Sequence, residues 1–453
     1  MAPGGRRCGF SARYEKIKMA KHSCAFMLAL WASTAASAIC LPQSSASDSL
    51  RVVQIVVSGN QHTRDFVILR EMKTALGKPL DVQQLELDRL RIESLGLFTR
   101  VETLPLRTEQ GVVVIVLVSE RWYIFPFPIL DRHDKDWSKF SYGFGLQHTN
   151  LRGRNEQVGS AIWWGYNPGY QFSFTSPWLL GKGGMFVTLL VLRQRVRNLS
   201  PQFPRFDQEV QGIVCTIGQR FGYHTYLAFT GGYRQLRVDP PIAGATINRE
   251  GLDRAPQGGV VASYDTRDLR EYPRRGWWLS LEARQVGLPG LAANYVLWSV
   301  DARRYQPLGS GTSLAMRASG SFSRGKVPVY DRFYLGYGER VRGHFREVAE
   351  GDSRVMVASE LRFTLLPVRY LNLEPAEPLL QGYGRNLKFG LNAGLFCEAG
   401  SVWFRQAAAP RALWRGFGAG LHFHLPYGYV MRLEYAWNGK LRGQVILDLG
   451  VAF

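Results

Sequence analysis

The sequence predicts an all-β transmembrane barrel of about 16 antiparallel strands, preceded by one small α+β domain of order βααββ. A change of pattern near residue 120 is the first reason, because helical and strand patterns mix before it and alternation with a period of two follows it. Composition is the second reason. Hydrophobic residues make up 46% of the 453 residues, yet no run of about 18 apolar residues follows the N-terminal segment, so a helical membrane protein is disfavoured.

Residues 1–38 have the pattern of a Sec signal peptide. A basic region precedes the apolar stretch from Cys24 to Ala32, and Ala36-Ser-Ala38 offers a small-residue cleavage site. A membrane anchor is the competing interpretation, but about a dozen apolar residues are too few to span a bilayer. We therefore expect an exported chain in which residues 39–49 form a linker.

Residues 50–120 carry the predicted small domain. Arg51 to Val57 is rich in β-branched residues and ends at the turn Ser58-Gly-Asn60, which indicates a strand. Asp81-Val-Gln-Gln84 is typical of a helix start, since an aspartate there can cap the first turn. In chain order, the predicted elements are a strand at 51–57, a helix at 63–76, a helix at 81–95, and strands at 101–106 and 112–118.

The chain is strongly basic. Its formal net charge is +20, and nearly all of the excess lies after residue 120, because residues 51–120 hold equal numbers of acidic and basic side chains. A basic barrel suits anionic headgroups or an arginine-lined lumen. Nucleic acid is the competing partner for such charge, but an export signal and many aromatic residues argue against it, so we predict no nucleic-acid partner.

Residues 138–453 are expected to form the barrel, after a linker at 121–137 whose paired prolines suit neither a helix nor a central strand. The segment from Trp277 to Arg284 shows the alternation. Its tryptophan, leucines and alanine share one face, while its serine, glutamate and arginine share the other. In a membrane barrel, the apolar set faces lipid and the polar set faces the lumen.

The last strand, expected at 445–453, favours a membrane barrel over a soluble sandwich or propeller, which would alternate as well. It ends on the aromatic residue Phe453, as exported outer-membrane barrels commonly do, and the alternation places Phe453 on the apolar, lipid-facing side and Asp448 on the polar face. The first strand of the barrel is expected at about 139–148.

Short motifs with glycine, arginine and aromatic residues recur along the barrel region. The stretch Leu335-Gly-Tyr-Gly-Glu-Arg-Val-Arg-Gly-His-Phe345 is glycine-rich with central arginines, so it can fold back and present a guanidinium to a carboxylate inside a barrel. The other motifs are Asn150-Leu-Arg-Gly-Arg-Asn155, Ser176-Pro-Trp-Leu-Leu-Gly181, Asp265-Thr-Arg-Asp268 with Tyr272-Pro-Arg-Arg-Gly276, and Phe396-Cys-Glu-Ala-Gly400.

Taken in this order, the motifs resemble those of the BamA/TamA superfamily of outer-membrane assembly and secretion barrels, also called the bacterial surface antigen family, across residues 50–453. The small domain resembles a POTRA domain through Val56-Val-Ser-Gly-Asn60 and Leu95-Gly-Leu-Phe98. The chain therefore resembles a short form with a single POTRA domain. It departs from the family pattern at His344, where an aromatic residue is usual, and at Glu398, where aspartate is usual.

The resemblance implies that the loop arginine meets the acidic residue of the later motif inside the lumen. Parity agrees, because Leu391, Ala393 and Leu395 would face lipid and leave Glu398 facing inward. The family also implies a weak seam between the first and the last strand. The residues assigned roles in this way are Val341, Arg342, Gly343, His344 and Phe345 in the loop, Phe396, Glu398 and Gly400 opposite it, Asp265, Arg267, Asp268 and Gly276 in the mid-barrel motif, and Asp448 and Phe453 in the seam strand.

The resemblance further implies a function. The POTRA domain would lie in the periplasm and bind unfolded outer-membrane or secreted polypeptides by offering a sheet edge. The barrel, in the bacterial outer membrane, would assist their insertion or translocation, because a templating seam pairs backbone groups that cannot face lipid unpaired. Outer-membrane lipid or lipopolysaccharide and accessory lipoproteins are the other implied partners. A passive channel or a structural barrel without insertase activity is the alternative.

The sequence shows no catalytic constellation. It contains no Gly-x-Ser-x-Gly, His-Glu-x-x-His or phosphate-loop motif, which disfavours a lipid-hydrolysing barrel. We predict no enzymatic activity, no cofactor and no metal. His422 and His424 share the inward face of one strand, so a metal pair is conceivable, but polar residues lining the lumen are the simpler interpretation.

Overall fold

The computed structural model describes residues 50–132, 139–179, 184–345, 347–372, 386–406, 413–426 and 429–453. The predicted signal peptide and the linker at 39–49 lie outside the described residues. In these parts of the chain, no helix is long and apolar enough to cross a membrane. Two units follow in chain order, a small α+β domain and a large antiparallel sheet.

The small domain is built on a three-stranded sheet. Its strands are β1 (Val52–Ser58), β2 (Phe98–Thr108) and β3 (Gly111–Glu120), with β3 in the centre, parallel to β1 and antiparallel to β2. The helices α1 (Asp65–Leu69) and α2 (Val82–Glu93) pack their apolar residues against this sheet. The predicted βααββ order is therefore confirmed.

Helix α1 is shorter than the predicted helix at 63–76, whereas α2 begins where expected. The carboxylate of Asp81 accepts hydrogen bonds from two backbone N–H groups in the first turn of α2 and caps it. Beyond α1, the carboxylate of Asp88 on α2 accepts the backbone N–H groups of Lys73 and Thr74. These groups are therefore satisfied by a side chain, and the backbone can leave helical geometry.

The second unit is one antiparallel sheet of 16 strands, which confirms the predicted barrel fold. Its strands neighbour one another in chain order, except that β17 follows β14 after a long loop. Two short strands within that loop, β15 (Phe333–Leu335) and β16 (Ala349–Gly351), pair with each other. The barrel strands are β4 (Ile124–Arg132), β5 (Phe140–Leu151), β6 (Glu156–Gly165), β7 (Gly169–Ser176), β8 (Met185–Arg197), β9 (Asp207–Phe221), β10 (Thr225–Val238), β11 (Leu252–Asp265), β12 (Gly276–Gly287), β13 (Asn294–Gly309), β14 (Thr312–Gly325), β17 (Ser353–Leu371), β18 (Leu387–Trp403), β19 (Trp414–Leu425), β20 (Tyr429–Asn438) and β21 (Gly443–Leu449).

Alternation along the strands separates an outer face from a lumenal face. On β20, Leu433 and Tyr435 are exposed on the outer face, whereas Arg432 and Glu434 are buried on the inner one. Leu281 on β12 is likewise exposed outward. Because residues paired across an antiparallel ladder share a face, the register carries this assignment from strand to strand.

The first strand of the sheet corrects the prediction for residues 121–137. Residues 124–132, expected in a linker, form β4 and pair with β5, with Pro126 opposite Leu146 and Pro128 opposite Phe144. Prolines two residues apart lack N–H groups on the same side of a strand, so an edge strand tolerates both if that side is free. The prolines exclude a central strand, but they do not exclude an edge strand.

The C-terminal end also differs from the predicted strand at 445–453. Strand β21 ends at Leu449, and Gly450 then takes a left-handed φ of +92°. Phe453 is 3% exposed and packs in the lumen with Tyr305 and Ala315 rather than facing lipid. Within the described residues, no ladder joins β4 to β21, so each of these strands is paired along one edge.

Candidate functional site

The loop between β14 and β17 folds back into the barrel. At its tip, Val341 is 0% exposed and Arg342 is 5% exposed. Gly343 has a φ of +94°, and a Cβ at this position would lie 2.8 Å from the backbone carbon of Trp437 on β20. The loop therefore lies against the wall at a position that suits glycine alone. Gly400 on β18 makes room for the loop, since its Cβ would lie 3.0 Å from a methyl group of Val341.

Arg342 binds carboxylates from three strands. Its backbone N–H and its Nε donate to the two oxygens of Glu398 on β18, at 2.8 and 2.7 Å. Its Nη1 donates to Glu360 on β17 at 3.0 Å and to Glu434 on β20 at 2.7 Å. The guanidinium carbon lies 3.5 Å from the ring centre of Phe396, a cation–π contact. The structure thus brings Arg342, Phe396 and Glu398 together and adds two glutamates.

Sequence reasoning missed those two glutamates as partners, together with two arginines beside them. Arg362 donates to Glu360 at 2.7 Å, and Arg432 donates to Glu434 at 2.9 Å. Each residue is charged and inward-facing on its strand, a signal that identifies the face but not the partner. Three arginines therefore face three glutamates, and all six are at most 5% exposed. We call these residues the lumenal charge cluster: Arg342, Arg362, Arg432, Glu360, Glu398 and Glu434.

His344 takes part in a stack at the loop tip. Its ring lies parallel to that of Trp414, with centres 5.0 Å apart and an interplanar angle of 8°. One ring nitrogen lies 2.9 Å from the carbonyl oxygen of Arg415, and the other lies 2.9 Å from the carboxylate of Glu347. Phe345 packs on a separate apolar cluster of the wall. A histidine at this position therefore still supplies a flat ring for packing.

His422 and His424 both point into the lumen from β19, but they have different partners. His422 Nδ1 lies 2.8 Å from the hydroxyl of Tyr272, and His424 Nε2 lies 2.7 Å from the amide nitrogen of Asn392. Both rings contact Tyr272, with ring centres 5.9 and 4.8 Å away. The arrangement holds the tyrosine in place, with one nitrogen of each histidine ring engaged in these contacts.

A different grouping has the spacing of metal ligands. Glu360, His422 and Glu434 offer ligand atoms that all lie within 4.8 Å of one another. Arg342 Nη1, however, donates to both glutamates. The guanidinium therefore supplies positive charge where a metal ion would supply it.

The mid-barrel motif forms the turn between β11 and β12. The carboxylate of Asp265 accepts two hydrogen bonds from Arg267, each 2.8 Å long. Asp268 accepts two backbone N–H groups within the turn. Gly276 has a φ of +111°, and its Cβ would lie 2.2 Å from a carbonyl oxygen across the turn. This tightly bonded turn inserts Tyr272, which is 5% exposed, toward the histidines of β19.

The same end of the barrel holds the small domain. Lys388 on β18 donates to Glu271 of the β11–β12 turn at 3.0 Å and to Glu93 on α2 at 3.2 Å. In the early-barrel motif, the amide of Asn150 donates to Thr63 of the small domain at 2.9 Å. The early-barrel and mid-barrel turns, both identified as motifs in the sequence, thus contact the small domain directly or through Lys388.

The seam residues are connected to the lumenal charge cluster. Arg432 donates to Asp448 on β21 at 3.0 Å and to the carbonyl oxygen of Gly450 at 2.6 Å. The ring centre of Phe453 lies 5.8 Å from the guanidinium carbon of Arg362. The cluster therefore contacts both the inward loop and the end of the chain.

Comparisons with known proteins match both units. A family model for the Omp85 superfamily domain matches residues 150–445, and a POTRA model, described as a surface antigen variable number repeat, matches residues 50–121. The outer membrane protein assembly factor BamA of Nitratidesulfovibrio vulgaris (strain Hildenborough) is 26% identical over 318 residues. That alignment covers 66% of this chain and 38% of the relative, so the chain spans well under half of the relative's length.

Two solved structures share the fold. BamA from Haemophilus ducreyi lacking POTRA domains 1–3 superposes with a TM-score of 0.53 at 17% identity, covering 89% of this chain and 84% of that one. CdiB from Escherichia coli superposes with a TM-score of 0.50 at 12% identity, covering 99% of both chains. At these identities, the comparison concerns architecture alone.

Proposed function

Because the chain belongs to the Omp85 superfamily, we propose that it is an outer-membrane assembly factor that binds unfolded polypeptides through its POTRA domain and assists their insertion into, or translocation across, the outer membrane. The POTRA domain would then lie in the periplasm. The name of the matched relative, an outer membrane protein assembly factor, supports this proposal. Outer-membrane lipid and accessory lipoproteins are further expected partners, and we expect no enzymatic reaction.

The observation that carries the proposal is the pair of free strand edges at the seam. Strands β4 and β21 each pair on one side within the described residues. A free edge presents backbone donors and acceptors, which a client strand can satisfy while it enters a medium that offers no hydrogen bonds. Pro126 and Pro128 remove backbone N–H donors from β4, whereas β21 contains no proline and keeps the N–H donor of every residue.

We assign the inward loop the role of a lock on the wall beside β21. Arg342 of the loop binds Glu434, and Glu434 also binds Arg432, which holds Asp448 of β21. The last strand is therefore tied to the loop through three successive charged contacts. A stable wall next to a free edge suits repeated use as a template.

A passive channel is the competing function. A channel needs an open lumen, whereas the loop tip and the end of the chain both lie inside this barrel, with Arg342 and Phe453 at most 5% exposed. This packing favours a gated barrel over a permanently open pore.

The test is the folding rate of an unrelated, urea-unfolded outer-membrane barrel in liposomes that contain the purified full chain. We expect acceleration by the native protein, loss of acceleration with Arg342→Ala, and full acceleration with Arg324→Ala, which removes an exposed outward arginine of β14. Folding at the rate of empty liposomes, together with high ion conductance, would support the channel instead.

A further inference from the structure

The outer face of β8 to β11 carries arginines at the end of the barrel away from the small domain. The outer face of these strands is identified by exposed apolar residues, such as Ile213 and Ile217 on β9 and Phe229 on β10. Every second residue along a strand lies on the same face as these. The opposite end of β9 contacts the small domain, since Arg220 binds Glu71 at 3.0 Å. The outward arginines are Arg193, Arg195 and Arg197 on β8, Arg237 on β10 and Arg254 on β11, all of them exposed.

The strand register arranges these side chains in two rows. One row runs Arg193, Gln211, Gln235, Arg254 across the four strands, and the next row runs Arg195, Glu209, Arg237. Strands lie about 4.8 Å apart, so the arginines of the second row are about 10 Å apart. Arg193, Glu209, Gln211, Gln235 and Arg237 together line a shallow cleft of about 180 Å³ in the outer wall.

Arginines outnumber acidic side chains in this patch. Glu209 is bound by Arg193 at 2.5 Å, and Asp207 is bound by Arg197 at 3.1 Å. Arg195, Arg237 and Arg254 have no acidic partner among the described residues. Five arginines against two acids leave a net charge of about +3 on this face. The rows thus present two free guanidinium groups on either side of a neutralised carboxylate, with a third nearby.

Other sectors of the same rim carry exposed aromatic residues, together with outward arginines that stand singly on their strands, such as Arg324 on β14. Trp164 on β6, Trp298 on β13 and Tyr435 on β20 lie near the matching ends of their strands and are 42%, 51% and 44% exposed. Aromatic residues are the ordinary interface residues of membrane barrels. The β8–β11 sector therefore differs from its neighbours in the density of its outward arginines, of which it has five on four adjacent strands.

We propose that this sector binds the phosphorylated headgroup of a glycolipid in the outer leaflet. Arginine pairs with phosphate through two parallel N–H donors, and clusters of basic residues recognise anionic lipid headgroups. The glutamines between the arginines offer donors and acceptors for sugar hydroxyls. The inference rests on the proposed orientation in the outer membrane and goes beyond the proposed function by placing the lipid on a defined part of the wall.

The test is lipid binding to the full chain in detergent, measured by native mass spectrometry with diphosphoryl lipid A. We expect Arg195→Gln with Arg237→Gln to weaken binding about tenfold or more, since each arginine near an anionic headgroup strengthens binding several-fold. The matched control, Arg324→Gln with Arg415→Gln, removes two outward arginines at the same end of β14 and β19 and is expected to change binding less than about twofold. Lipid A stripped of its phosphates should bind all proteins equally weakly.

Several outcomes would overturn the proposal. These are unchanged binding by the double variant, an equal loss in the control, or equal binding of phosphatidylglycerol and lipid A to the native protein. A shift in gel mobility on heating shows whether each barrel is folded, and Arg195→Lys with Arg237→Lys provides a milder variant that keeps charge but loses the two-donor geometry. No client polypeptide is present, so this result is independent of the insertion assay.

Discussion

The lumenal faces of the early and late strands differ in chemistry. Along the middle of β7 to β10, small neutral side chains meet, with Thr175 and Thr188 joined at 3.3 Å and Thr216 and Thr230 joined at 3.0 Å. Along β17 to β20, the lumenal charge cluster binds the inward loop. The tip of the loop is therefore held by the late wall, whereas the first part of the loop contacts the early wall, where Arg234 on β10 binds Asp331 at 2.6 Å.

This difference indicates where the barrel is stiff. Buried charges that are paired with opposite charges favour one arrangement, since a shift leaves a charge without its partner. A wall of small neutral residues imposes no such penalty. The loop tip, β20 and β21 therefore form a rigid unit beside the seam, whereas the threonine-lined part of the early wall lacks such charged contacts to the loop tip among the described residues and is freer to move.

Removing the loop arginine should produce the largest effect. Arg342→Ala leaves three buried glutamates short of one positive charge, a loss of about 3–5 kcal/mol. We expect a lower urea midpoint and rapid trypsin cleavage within the loop. The comparison variant on the early wall is Thr216→Ala. It should lower the free energy of unfolding by about 1 kcal/mol and leave the loop protected from trypsin. Similar losses in both variants would remove the distinction between the walls.

A double-mutant cycle measures how much of that loss of stability comes from the contact between Arg342 and Glu398. Arg342→Ala and Glu398→Ala should be non-additive by about 0.5–3 kcal/mol, because each removes the partner of the other. Strict additivity would show that the pairing between loop and β18 is wrong. The loss in each single variant would then come from other members of the lumenal charge cluster.

The sequence predicted the fold better than the contacts within it. Alternation with a period of two is a local property, so the faces of β12 and β20 could be read directly. The meeting of Arg342 with Glu398 came from family motifs, whereas Glu360 and Glu434 stand in segments without any such motif. Partners across a barrel are set by register between distant strands, and register leaves no local mark in one sequence.

The two errors at the strand ends have physical explanations. The two prolines, Pro126 and Pro128, led to the prediction of a linker, because proline is excluded from central strands. An edge strand admits proline, and β4 is an edge strand. Parity placed Phe453 in lipid because the alternation was continued through Gly450. A positive φ at that glycine changes the direction of the chain, and glycine in a sequence permits such a φ without requiring it.

A change at the loop backbone should produce an intermediate effect. Gly343→Ala places a methyl group 2.8 Å from the backbone of Trp437 at a φ of +94°, which we expect to cost about 1–3 kcal/mol. The rate of trypsin cleavage in the loop and the urea midpoint of unfolding measure this loss of stability. Gly231→Ala on β10 is the matched control, since nothing lies within 4 Å of its Cβ position. If both variants behaved alike, close packing of the loop on the late wall would be refuted.

The smallest effect concerns the attachment of the POTRA domain. Lys388 joins the late wall to Glu93, and Arg220 joins the early wall to Glu71, so the domain contacts both walls through ion pairs. Lys388→Met should cost only about 1 kcal/mol, because Glu93 keeps a bond to Arg89 at 2.8 Å.

The two attachments differ in the contacts that continue from them into the barrel. Lys388 also holds Glu271, the neighbour of Tyr272, whose hydroxyl bonds to His422 beside the lumenal charge cluster. Among the described residues, no comparable series of contacts leads from Arg220 to the loop tip. Hydrogen exchange of α2 should therefore rise in both Lys388→Met and Arg220→Met, whereas trypsin cleavage of the loop should rise only in Lys388→Met, by about twofold or less. Equal loop cleavage in the two variants would mean that the stiffness of the late wall ends at the lumenal charge cluster and does not extend to the POTRA domain.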